Sequence, residues 1–129
     1  MKDIIFDSFQ NDVNESLLRH KSIIDIMTKL TETNARVNRA LAKCVTNCGC
    51  IKINAEKQNY LSNNTDSNPS LNTHIEGKLC DNCREIIESE LGNNIFYLTS
   101  LCNCLDLSLY DIFLKEENKI NMLGKYNLR

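Results

Sequence analysis

Tryptophan is absent from this chain, proline occurs once, as Pro69, and glycine only four times in 129 residues. With so few backbone breakers, long segments carry apolar residues at helical spacing, while strand-like alternation is hard to find; the expected class is all-α. No run approaches the roughly 18 apolar residues of a membrane span. The opening MKDIIFDSFQND has no basic segment followed by a long apolar one, so neither an export signal nor a membrane anchor is expected and the chain reads as cytoplasmic. Charge of one sign is lacking too. Fifteen basic and seventeen acidic residues are interleaved to a net charge of −2, which argues against a strongly electrostatic nucleic-acid binder.

What the chain has is hydrophobic content, 42%, enough for one core, and one domain over residues 1–129 is expected. It also has seven cysteines. An odd number without an export signal speaks against a disulfide framework and for metal binding or buried thiols. For the same reason the sequon at Asn63-Asn64-Thr65 is assigned no role.

Along the chain, Phe6, Phe9, Val13 and Leu17 keep a helical period, and Ile23, Met27, Leu30, Asn34, Val37, Leu41 and Cys44 recur at steps of four and three. A break near His20 to Ser22 is expected between them, because about 40 residues exceeds an ordinary globular helix. Gly49 suits the positive φ of a helix C-terminal cap. Residues 51–53 are expected to pair briefly as a strand, and about 54–73 to form a polar, mobile loop. Asp81 or Asn82 is expected to cap the next helix, whose apolar face is Leu91, Ile95, Leu98, Cys102 and Leu105. Cys102 and Cys104 both read as small core residues. Ser108 with Asp111 resembles a capping box for a last helix from Leu109 to about Leu123, stopped by Gly124.

Glu90-Leu91-Gly92-Asn93, opening a long apolar run before a short last helix, carries a resemblance. It is similar to the second motif, Glu-Leu-Gly-Asp, of the MazG-like all-α nucleoside triphosphate pyrophosphohydrolases. The family's first motif, Glu-Glu-x-x-Glu, aligns with Glu32-Thr33-Asn34-Ala35-Arg36. The resemblance implies a helical bundle of long antiparallel helices with a short C-terminal helix, a homodimer, and carboxylates holding Mg²⁺ on a triphosphate. Here Asn93 stands for Asp, only Glu32 of the first motif keeps its charge, and Arg36 enters. A cysteine-bearing insertion separates the motifs.

The remnant pocket implied by the resemblance is Glu32, Arg36, Arg39, Glu90 and Asn93. Arg36, Arg39 and Lys43 share a helix face, and arginine suits bidentate contact with phosphate, so nucleotide binding without hydrolysis is the first expectation. A working pyrophosphohydrolase would need a rearranged Mg²⁺ or Mn²⁺ centre, with Glu32, Glu85, Glu88 and Glu90 as candidate catalytic acids. A third alternative is a zinc-stabilised helical module for a protein partner.

The cysteine pattern is independent of the resemblance. Cys48-Gly49-Cys50 and Cys80-Asp81-Asn82-Cys83 supply two close pairs, able together to complete the tetrahedral shell of a structural Zn²⁺. Buried free thiols or a redox pair are the alternatives, with iron–sulfur ligation a smaller one. Cys44 and His74 are lesser ligand candidates.

Overall fold

The computed structural model describes residues 2–17, 19–58 and 72–123. Its elements are α1 (Lys2–Ser16), α2 (Ile23–Lys43), a π-helical turn (Cys44–Cys48), β1 (Ile51–Ile53), β2 (Ile75–Gly77), α3 (Asp81–Cys104) and α4 (Leu109–Leu123). Helices dominate, as expected of an all-α chain, with one small ribbon added. None of the described helices is long and apolar enough to cross a membrane. Most of the expected polar loop (residues 59–71), the sequon and the Gly124 helix stop lie outside the described residues. The chain divides into two compact units, residues 1–35 with 91–129, and residues 36–90.

In the first unit, α1 packs on α4 through Phe6, whose ring lies 5.9 Å from that of Tyr110 and 4.7 Å from that of Phe113. The break between α1 and α2 falls where expected. His20 takes a positive φ of 57°, and Ser22 caps α2, its Oγ accepting the Ile24 N–H at 3.3 Å and its carbonyl the Ile26 N–H at 2.9 Å. The corner between α3 and α4 is a Schellman turn, with Leu107 N–H donating to Cys102 O at 2.8 Å and Asp106 N–H to Asn103 O at 3.4 Å. Asp106 holds the left-handed position, φ 56°, that glycine usually fills. Gln10 reads this corner from α1: its Nε2 donates to Leu107 O at 2.7 Å and its Oε1 accepts the Leu109 N–H at 2.9 Å. Ser108 Oγ accepts the Asp111 N–H at 3.2 Å, the expected cap of α4.

The faces buried differ from those the periodicity suggests. On α3, Thr99 (0% exposed) and Ser100 (1%) are buried with Cys102, whereas Leu91, Ile95, Leu98 and Leu105 are exposed. The hydroxyls make this possible by bonding back along the helix, Thr99 Oγ1 to Ile95 O at 2.8 Å and Ser100 Oγ to Phe96 O at 3.0 Å, so no polar group is left unpaired. On α2 likewise, Ile26 and Thr33 are buried while Met27 is exposed. Asn94 Nδ2 of α3 donates to Thr33 Oγ1 at 3.1 Å and Asn34 Oδ1 at 2.6 Å, so Asn34, counted with the apolar stripe, belongs to a polar bridge. Cys104, expected in the core with Cys102, is exposed, because neighbours two apart on a helix point to different faces.

In the second unit the end of α2 widens into the π-helical turn, and Gly49, φ 79°, closes it by donating its N–H to Cys44 O at 2.8 Å. The expected strand β1 pairs antiparallel with β2 in the register Ile51 with Gly77, Lys52 with Glu76 and Ile53 with Ile75. Beyond the strands, Asn54 N–H donates to His74 O at 2.9 Å and Asn72 N–H to Gln58 Oε1 at 3.1 Å. Gly77, φ 87°, lies so close to the chain entering β1 that a Cβ there would stand 2.6 Å from Cys50 O. The core is small: Cys44, Ile51 and Cys83 are buried, with Val45, Cys50, Leu79, Cys80 and Ile87 against them.

Candidate functional site

Two chain segments in the second unit each bring a pair of cysteines to one place. The first leaves the π-helical turn with Cys48, reverses at Gly49 and enters β1 after Cys50. The second leaves β2 and starts α3, with Cys80 just before its first residue and Cys83 in its first turn. The four Sγ atoms lie within 4.8 Å of one another, close enough to hold a metal ion, and Cys48 Sγ is 3.8 Å from Cys80 Sγ. For comparison, four sulfurs placed tetrahedrally about 2.3 Å from Zn²⁺ are about 3.8 Å apart. All seven cysteines are free thiols. Among the described residues, this is the only such group of three or more cysteine, histidine, aspartate or glutamate side chains.

The electrostatics of the cluster are uneven. Cys80 occupies the cap position of α3, where Arg84 N–H donates to its carbonyl at 2.9 Å and Cys83 N–H to its Sγ at 3.4 Å. Asp81 therefore lies in the first turn, and the sulfur takes the capping role expected of Asp81 or Asn82. That Cys83 N–H, with the Cys83 thiol second, draws the Cys80 pKa down to about 7. Cys83 is pushed strongly up, first by the adjacent Cys44 thiol and then by burial and the remaining thiols. At Cys48 the Cys50 N–H and the Cys83 thiol favour the thiolate, but crowding by the Cys80 and Cys50 thiols and desolvation carry the net shift upward. Four crowded sulfurs, one already supported as a thiolate by a backbone donor, are a donor set that fits a soft or borderline divalent cation. Cys44 is buried beside Cys83 in the core, outside the group of four. His74 is also outside it, with Nε2 buried and without a hydrogen-bond partner.

Beside the cluster, within the same unit, is a cavity of about 330 Å³ lined by Arg36, Arg39, Lys43, Asn47, Asn82 and Glu90 as its polar groups. Ala40 and Ile86 form apolar wall, and Cys44, Cys48 and Cys83 line it from the cluster side. Arg36 Nε donates to Glu90 Oε1 at 3.3 Å; the Glu90 side chain is mostly buried and that of Arg36 mostly exposed. Three of the five expected nucleotide-binding residues, Arg36, Arg39 and Glu90, thus share one cavity. Glu32 and Asn93 belong to the first unit, where Glu32 Oε1 pairs with Lys29 Nζ at 3.1 Å. Glu85 and Glu88 are exposed on α3 and make no three-carboxylate group with Glu90. Asn47 and Asn82 were not singled out by the sequence reading; the available signal was their position, each one residue before a cysteine of the cluster. No protein-family model, curated protein or solved structure matches the chain.

Proposed function

We propose that this chain is a zinc-stabilised helical module of MazG-like ancestry that binds a nucleotide, or acts as a regulatory subunit, without hydrolysing it. The convergence of Cys48, Cys50, Cys80 and Cys83 carries the reading. A closed four-thiolate shell leaves no coordination position for substrate, so the metal stabilises the fold and supplies no chemistry to a reaction. The acids offer little for a second, catalytic centre: Glu90 is engaged by Arg36, and Glu85 and Glu88 point to solvent-exposed positions. Support for the ancestry is the Glu90-Leu91-Gly92-Asn93 motif and the helical build.

The purified protein is expected to hold one zinc per chain by elemental analysis and to release no pyrophosphate from ribo- or deoxyribonucleoside triphosphates with Mg²⁺ or Mn²⁺. Release that disappears in a Glu90→Gln protein would establish an enzyme and end the non-hydrolytic reading.

The same proposal includes a homodimer. Leu91, Ile95, Leu98 and Leu105, with Cys102 between the last two, follow the four-and-three spacing of a helix seam, yet all four large side chains are exposed. A second copy presenting the same seam covers them. Sedimentation equilibrium is expected to give the dimer mass for the wild type and the monomer mass for Ile95→Glu with Leu98→Glu. A wild type that stays monomeric at high concentration removes the dimer from the reading.

A further inference from the structure

We propose that the basic cavity of the second unit binds the diphosphate group of a small organic ligand, and that the metal-held cysteines build its wall, so that ligand and metal bind cooperatively. This rests on the zinc reading above and adds to it a ligand chemistry and a linkage between the two sites.

The charge is the first argument. Three cations and one carboxylate line the cavity, and that carboxylate, Glu90, is taken by Arg36. Among the described residues no carboxylate pairs with Arg39 or Lys43. The two stand one helical turn apart on α2, their Cβ atoms about 5–6 Å from each other, so an anion with several oxygens can be gripped by both at once. The backbone of α3 is not the anion site, since the Cys83 and Arg84 N–H groups are occupied by Cys80. Recognition falls to side chains: Arg39, Lys43 and the amides of Asn47 and Asn82.

Size and polarity narrow the ligand. About 330 Å³ is at the small end of ligand sites, roughly 300–1,000 Å³. Ala40 and Ile86 add apolar surface that inorganic phosphate does not use. A diphosphate carrying a compact organic body uses both the cationic and the apolar lining.

The linkage follows from chain neighbours. Asn47 precedes Cys48 and Asn82 precedes Cys83, so the ion that holds those two sulfurs also sets the gap between the two amides. Without it the segments are tied only by the short ribbon of β1 and β2 and by the small core described above. A ligand that needs both amides at a fixed spacing therefore prefers the metal-bound protein, and by reciprocity it tightens metal binding by the same factor.

The competing role for Arg39 and Lys43 is counter-charge, because Zn²⁺ with four thiolates carries a net charge of −2. Calorimetric titration of ADP and of inorganic pyrophosphate separates the two. The proteins are zinc-loaded wild type, zinc-loaded Arg39→Gln/Lys43→Gln, and metal-stripped wild type, with zinc content verified after each run. ADP is expected to bind zinc-loaded wild type, and at least about tenfold more weakly to each of the other two, within the usual range of coupling. ADP is also expected to slow zinc loss to a chelator. Binding of pyrophosphate with equal affinity assigns recognition to the diphosphate alone; preference for ADP assigns a share to the Ile86 wall; both support the site. ADP failing to bind zinc-loaded protein, binding the double variant equally, or ignoring metal removal overturns the proposal. In the first case, a double variant that loses zinc faster identifies counter-charge as the role. A protein that takes up no zinc fails the parent reading instead.

Discussion

Serine at both Cys80 and Cys83 is expected to abolish metal binding and to melt the ribbon, the π-helical turn and the first turn of α3. The reason is the size of what remains. Among its described residues the second unit buries three side chains, two of them cysteines, and one of these, Cys83, belongs to the four-cysteine cluster. A core that small supports little ordered chain by itself. Structural zinc, by contrast, contributes about 10–16 kcal/mol of apparent binding energy in small zinc-dependent folds, and there that energy is folding energy. Cys83→Ser further leaves a hydroxyl in a buried position, at a cost of about 1–3 kcal/mol if unpaired. Elemental analysis, thermal melting and limited proteolysis of residues 44–83 read the effect. Cys104→Ser, at an exposed position remote in sequence from the ligands, is expected to keep full zinc and the wild-type melting temperature. A Cys80→Ser/Cys83→Ser protein with undiminished metal and stability would reject the structural-metal assignment.

The second large effect is expected at Gly77, which binds nothing. Alanine there places a Cβ 2.6 Å from Cys50 O at a φ of 87°. Positive φ costs an ordinary residue about 1–2 kcal/mol, and forcing an atom into a closed contact costs about 1–3 kcal/mol more, so a loss of about 2–5 kcal/mol is expected. Because the atom struck belongs to Cys50, the strain passes to a member of the four-cysteine cluster, and zinc retention against a chelator is expected to fall with the melting temperature. Gly49 is the internal control. Its φ is 79°, but nothing lies within 4 Å of a Cβ there, so Gly49→Ala meets the conformational cost alone, about 1–2 kcal/mol. Equal losses at the two glycines would show that the contact with Cys50 is immaterial.

Local chemistry was legible and its tertiary consequences were not. The break before α2, the Gly49 cap, the short strand at 51–53 and the Ser108 cap each depend on a few neighbouring residues, and each is present. The four cysteines were legible by spacing, although only the fold brings Cys48 and Cys80 to 3.8 Å. Hydrophobic periodicity identified α3 as a helix with an apolar face, but of that face only Cys102 is buried within the chain. Thr99 and Ser100 satisfy their own hydroxyls along the helix and so can be buried, which no count of apolar residues anticipates. The Schellman turn escaped because Asp106 takes the place where glycine signals it. The wide turn at Cys44–Cys48 has no short signature. Arg36 and Glu90, 54 positions apart, were placed in one pocket by the resemblance; Asn47 and Asn82 entered only through the geometry.

The ribbon has a consequence for chain length. Its pairing is continued by Asn54 with His74 and by Gln58 with Asn72, so both ends of the intervening stretch are held at adjacent points. Anything added between those ends enlarges a loop that is already closed, and doubling such a loop costs only about 0.6 kcal/mol. Insertions there leave the spacing of Cys48, Cys50, Cys80 and Cys83 to the strands and helices that carry them. The ribbon works as a clasp that insulates the four-cysteine cluster from the length of chain between its ends, which makes that stretch the place where this protein can lengthen or acquire new sequence without rebuilding its helices.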